Sequence, residues 1–77
     1  MTWMFQLHAT QQRRLFARIL QILDSQMVGI RSFSGETNHT GIRVTFVVQS
    51  EHDKAYRIHS LLCRLQDVHS VLVRPEC

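Results

Sequence analysis

The hydrophobic residues of this chain change their spacing in a fixed order, and that order limits the fold more than any other feature. Alternation with a period of two runs over Trp3, Phe5, Leu7 and Ala9. Spacing of three and four follows over Phe16, Ile19, Leu20, Leu23 and Met27. Two further alternating runs come next, then a second helical stripe, then a last alternating run ending near Arg74. A period of two marks a strand with one buried face, and a period near 3.6 marks an amphipathic helix. The sequence therefore predicts β-α-β-β-α-β.

Local signals sharpen the elements. Thr10 is placed to cap the first helix, predicted over residues 11–26, with Leu15 and Ile22 widening its stripe. Val28, Ile30 and Ser32 against Gly29, Arg31 and Phe33 make the second strand, and residues 34–41 read as a turn because Gly35, Asn38 and Gly41 tolerate positive φ. In the third strand Ile42, Val44, Phe46 and Val48 lie opposite Arg43, Thr45, Val47 and Gln49. A one-residue slip there would bury Arg43, so the register is well specified. Ser50 with Asp53 resembles a capping box for the second helix, whose stripe is Ala55, Ile58, Leu61, Leu62 and Leu65. Val71 and Val73 alternate with Leu72 and Arg74 in the last strand, which Pro75 ends.

This order is the signature of an α+β, ferredoxin-like sandwich: a four-stranded antiparallel sheet with two helices on one face. Residues 1–77 make one domain. A chain this short buries only about 60–65% of its unfolded surface, so a partner surface would help it. Alternation sends Met4, Phe33, Val47 and Leu72 to the open side of the sheet or to its edges. Four such residues predict a covered surface, in a homodimer or against a larger partner.

Composition excludes several classes. No apolar stretch approaches the roughly 18 residues of a membrane span, and the first ten residues lack the zones of a signal peptide. Cys63 and Cys77 form no C-x-x-C and read as free thiols, which suits the cytoplasm. Nine Lys and Arg against six acids give a formal charge of +3, but the bases are scattered rather than gathered on one face with aromatics. Nucleic-acid binding is therefore not expected.

No chemistry-bearing constellation emerges, so no catalytic residue is assigned. His52 and His59 share a helix face but stand two turns apart, roughly 10 Å, too far for one metal. His59 and Cys63 form a lone i, i+4 pair, and a small side chain beside the core explains Cys63 better than a metal ligand does. Activated Ser or Cys arrangements and phosphate-binding glycine loops are not found, and no cofactor is expected in this chain.

Two segments carry a family resemblance. One runs Leu15-Phe16-Ala17-Arg18-Ile19-Leu20-Gln21-Ile22-Leu23 and continues Met27-Val28-Gly29-Ile30-Arg31-Ser32-Phe33. The other is Leu62-Cys63-Arg64-Leu65-Gln66-Asp67-Val68-His69-Ser70-Val71. The second resembles the L-x-K-L-x-D-V-x-x-V ending of acetolactate synthase small subunits. The first resembles their helix and following strand. The likeness is to short members consisting of a single ACT domain.

That resemblance implies a non-catalytic regulatory subunit in branched-chain amino-acid biosynthesis. It implies a homodimer that binds a thiamine-diphosphate-dependent catalytic subunit, with an amino-acid effector such as valine. The effector region would be Gln11, Gln12, Arg13 and Arg14 in the loop before the helix, with Gly29 and Ile30 at the next strand. The sequence departs from the family there: the loop has no glycine, and Val28-Gly29-Ile30 lacks the family's asparagine. Arg14 would crowd a ligand where glycine allows close approach. The alternatives are a free-standing amino-acid sensor and a small nucleic-acid-binding module of the same fold.

Overall fold

The computed structural model describes residues 1–10 and 14–76. Its elements are β1 (Thr2–Ala9), α1 (Leu15–Ser25), β2 (Gly29–Asn38), β3 (Gly41–Gln49), α2 (His52–Cys63) and β4 (Val68–Pro75). The strands form one four-stranded sheet in the order β2-β3-β1-β4, with every neighbouring pair antiparallel. The predicted βαββαβ sandwich is the observed fold.

Alternation decides which face is buried. Trp3, Phe5, Leu7 and Ala9 of β1 and Ile42, Val44, Phe46 and Val48 of β3 are all buried. They pair in register, Phe5 opposite Phe46 and Leu7 opposite Val44. Leu15, Ile19 and Leu23 of α1 and Ala55, Ile58 and Leu62 of α2 close over them. The Phe5 and Phe46 rings stack with centroids 5.0 Å apart. The helices therefore cover one face, and β2 and β4 form the sheet edges.

The structure corrects several local expectations. The buried line of α1 is Leu15, Ile19 and Leu23, while Leu20 and Met27 are exposed. Met27 has left the helix and holds φ 57°, a left-handed conformation at the helix end. Thr10 does not cap α1, because the described helix starts at Leu15 with Arg14 as its N-cap. Nor does Ser50 cap α2; Glu51 is the N-cap, and no side chain caps it by hydrogen bond. Ser50 is instead tied to the chain start, its carbonyl accepting the Trp3 indole N–H at 3.2 Å and its own N–H donating to Met1 O at 2.9 Å.

Residues 34–38 are not a turn but the second half of β2. The turn is short, and Asn38 Oδ1 closes it by accepting the N–H groups of Thr40 and Gly41. The last strand likewise begins earlier than its valine alternation suggests, at Val68.

A bulge reverses one side chain. The β2–β3 register shifts between Ile30 and Ser32, so Arg31 is the extra residue. Beyond it Phe33 lies opposite Phe46 rather than opposite a solvent-facing neighbour. Phe33 therefore faces the helices, not the open side. Its ring stacks on Phe46 with centroids 5.8 Å apart and meets Phe16 edge-on at 6.3 Å. Gly35 lies under Phe16, where a Cβ would overlap the ring.

Gly41 is the tightest backbone position. Its φ is 142°, and a Cβ there would collide with the Ala9 carbonyl oxygen. Gly41→Ala adds backbone strain to a clash with rigid main chain and is expected to cost about 2–4 kcal/mol. Thermal unfolding should show a melting temperature lower by roughly 10 °C or more. A change of under about 2 °C would show that this turn relaxes freely.

Candidate functional site

The region predicted to receive an effector lies where β1 leaves the sheet. Gln11, Gln12 and Arg13 fall outside the described residues. The flank at Thr10 is held by two hydrogen bonds. The Thr10 N–H donates to Asp67 O at 2.8 Å, and Thr10 Oγ1 shares a 2.7 Å hydrogen bond with His69 Nε2. His69 is available because the β1–β4 register shifts between His8 and Ala9, which leaves it unpaired against β1. A shallow cleft of about 190 Å³ opens beside it, lined by His8, Asn38, Thr40, Gly41, Arg43 and His69 among others. Arg43 is also ion-paired across the β2–β3 ladder with Glu36.

The motif ending in Asp67 and Val68 thus has a visible structural part. Leu62 is buried and Leu65 packs against the core. The Asp67 carbonyl anchors Thr10, and Val68 pairs with Ala9 across β1–β4. The turn into β4 and the end of β1 at Thr10 are one connected unit.

The remaining predicted effector residues lie elsewhere. Arg14 begins α1, whereas Gly29 and Ile30 begin β2 after that helix has ended. Eleven residues of helix separate the two groups, a length of about 16 Å at 1.5 Å per residue. The ladder agrees: Gly29 pairs with Gln49 beside Thr2, at the end of the sheet away from Ala9. One copy does not bring Arg14 together with Gly29 and Ile30. Gly29 is exposed, and Ile30 is 43% exposed on the helix-facing side. With the exposed Leu20 it leaves apolar surface near the β2 edge, where every residue of β2 but Phe33 is exposed.

On the open face Met4 and Val47 are cross-strand partners, and Leu72 pairs with Gln6 on the next strand. Leu72 is 55% exposed. Arg74 reaches across the same face, its Nη2 lying 3.9 Å from Met4 Sδ. Three of the four residues expected on this side form that patch; Phe33 does not.

His59 is accounted for by structure. Its Nε2 lies 3.1 Å from Val71 O and donates to that carbonyl, which ties α2 to β4. Cys63 Sγ sits 3.8 Å from the same ring. Among the described residues no group of three or more His, Cys, Asp or Glu side chains is placed to hold a metal ion. None of the described helices is long and apolar enough to cross a membrane.

Solved structures place the architecture. The ACT domain of GTP pyrophosphokinase from Chlorobium tepidum superposes with a TM-score of 0.82 at 12% identity, over 95% of this chain and 96% of that one. The chain has the fold of an ACT domain. The regulatory subunit of aspartate kinase from Thermus thermophilus matches at 0.72 and 13% identity, over 96% of this chain and 50% of that one. A formyltetrahydrofolate deformylase from Pseudomonas putida matches at 0.82 and 7%, with 29% of its own length covered. At these identities the likeness is one of fold. No family model matches the sequence, and no curated protein matches it.

The periodicity pointed to the ACT fold's sheet and helices but missed the Thr10–His69 tie. That contact depends on a bulge in β4, which alternation of apolar residues does not reveal. Removing either partner, as Thr10→Val or His69→Ala, is expected to cost about 0.5–1 kcal/mol. The double variant should cost no more than the larger single one. Chemical denaturation of the four proteins measures this, and strictly additive losses would show that the two side chains act separately.

Proposed function

We propose that this protein is a non-catalytic regulatory subunit of the acetolactate synthase small-subunit kind. It pairs with a second copy and docks on a thiamine-diphosphate-dependent catalytic subunit. The observation that carries this reading is the ACT fold together with the L-x-R-L-x-D-V-x-x-V segment at Leu62–Val71, which links α2 to β4 and holds Thr10 at the end of β1.

The separation of Arg14 from Gly29 and Ile30 favours a dimer. Two copies paired antiparallel along β2 set the Gly29 end of one strand against the Asn38 end of the other. That arrangement brings Gly29 and Ile30 of one copy toward the partner copy's loop before α1. An effector site for an amino acid such as valine would then belong to the pair and not to either copy. Exposed Leu20 and Ile30 would be covered in the same step. The open face, with Met4, Val47 and Leu72 at its centre, remains for the catalytic subunit.

Two measurements test this. Mixing with an acetolactate synthase large subunit should give a co-eluting complex and a changed catalytic rate. No complex and an unchanged rate reject the reading. Ile30→Arg should weaken self-association at least about tenfold, and Leu72→Arg should weaken binding to the catalytic subunit by a similar factor while leaving the dimer intact. Calorimetry with valine at millimolar concentration tests the effector separately, and a flat titration removes the sensing role.

A further inference from the structure

We propose that the cleft between the first turn of α2 and the ends of β1 and β4 is a binding site for a single neutral aromatic ring. Its described lining is Trp3, His52, Ala55, Tyr56 and Val73, and its volume is about 140 Å³. A closed apolar cavity of roughly 150 Å³ holds one benzene ring; this cleft has a similar volume but is open to solvent on one side, so it would seat a ring by one face and its edges. Ala55 and Val73 are small, which leaves the space open, and no carboxylate, ammonium or guanidinium group is part of the described lining. That favours a neutral ligand, because an ion there would lose hydration without gaining a counter-charge.

The wall of the cleft is built from rings. His52 meets Trp3 edge-on with centroids 5.4 Å apart, and Tyr56 meets His52 edge-on at 4.8 Å. His52 and Tyr56 are four residues apart on α2, so the helix itself sets their pairing. The indole is fixed from behind by its hydrogen bond to Ser50 O. Tyr56, which meets only His52 among these rings, is 63% exposed and leaves ring surface open to a ligand. A fourth ring placed against this wall would find partners for the edge-to-face geometry that aromatic pairs prefer.

This site lies at the opposite end of β1 from the loop before α1, and of the predicted effector residues only Gly29 and Ile30 share its end of the sheet, across β3 from Trp3. Trp3 pairs with Val48 and Pro75, while the loop before α1 follows Ala9 at the other end of β1. Nothing in the proposal depends on dimerisation or on a catalytic partner, so it stands or falls apart from the regulatory role.

Trp3 is the chain's one tryptophan, so its indole N–H resonance and its fluorescence report directly on the cleft. Benzyl alcohol is the probe, with cyclohexylmethanol as its non-aromatic counterpart. The Trp3 signals should shift saturably with benzyl alcohol, with Kd on the order of 1–10 mM. Tyr56→Ala, an exposed substitution that leaves the core untouched, should weaken binding about threefold to tenfold. Val73→Phe should fill the space and abolish the shift. A response that stays linear with probe concentration overturns the proposal. So does equal binding of cyclohexylmethanol, or a Tyr56→Ala protein that responds like the parent.

Discussion

A row of three phenylalanine rings sets the architecture. Phe5, Phe46 and Phe33 lie side by side on β1, β3 and β2, in register across the sheet. Their stacked rings hold the centre of the helix-facing side. Stacked aromatic pairs contribute about 0.5–1.5 kcal/mol beyond the area they bury. More importantly, they fix register: a slip of one residue on any of the three strands would turn a ring into solvent. Phe16 completes the group from α1, lying over Gly35 where a larger residue would not fit. The helix is thereby positioned on the sheet as well.

How much of this the sequence revealed depends on the kind of signal. The central strands β1 and β3 alternate cleanly because each has one dry face and one wet one, and both were legible to the residue. The edges were not. On β2 nine of ten residues are exposed, so burial hardly selects its composition and its serines and glycine read as a turn. The bulge at Arg31 then reversed the expected side of Phe33. Helix ends failed for a related reason. Thr10 and Ser50 have the right chemistry for caps, but each is held by a contact remote in sequence: Thr10 by Asp67 and His69, Ser50 by Met1 and Trp3. Local propensity gave way to tertiary bonds that no window of neighbouring residues contains.

The candidate site was legible in the same uneven way. The segment around Asp67 and Val68 stood out through its resemblance to a family pattern, and the Asp67 carbonyl does hold Thr10 at the end of β1. The role of His69 was hidden in the β4 bulge. Gly29 and Ile30 were found as a pair beside Arg14 only in the sense of a family pattern. In space the length of α1 divides them, and a linear motif carries no information about which copy of a chain supplies each part. Of the aromatic cleft nothing is read from the sequence: His52 is weighed only against His59, Tyr56 is passed over, and Trp3 reaches them only through the sheet.

The small size of the domain ties these features together. A 77-residue chain has one core and little surface to spare. Here the core occupies one face of the sheet, and apart from Met1 and Met27 the exposed apolar residues fall in three places: the β2 side with Leu20 and Ile30, the open face around Met4, Val47 and Leu72, and the ring-lined cleft at Tyr56. All three rest on one sheet whose central strands β1 and β3 are paired on both sides, so a change that loosens those two strands removes the footing of every patch at once.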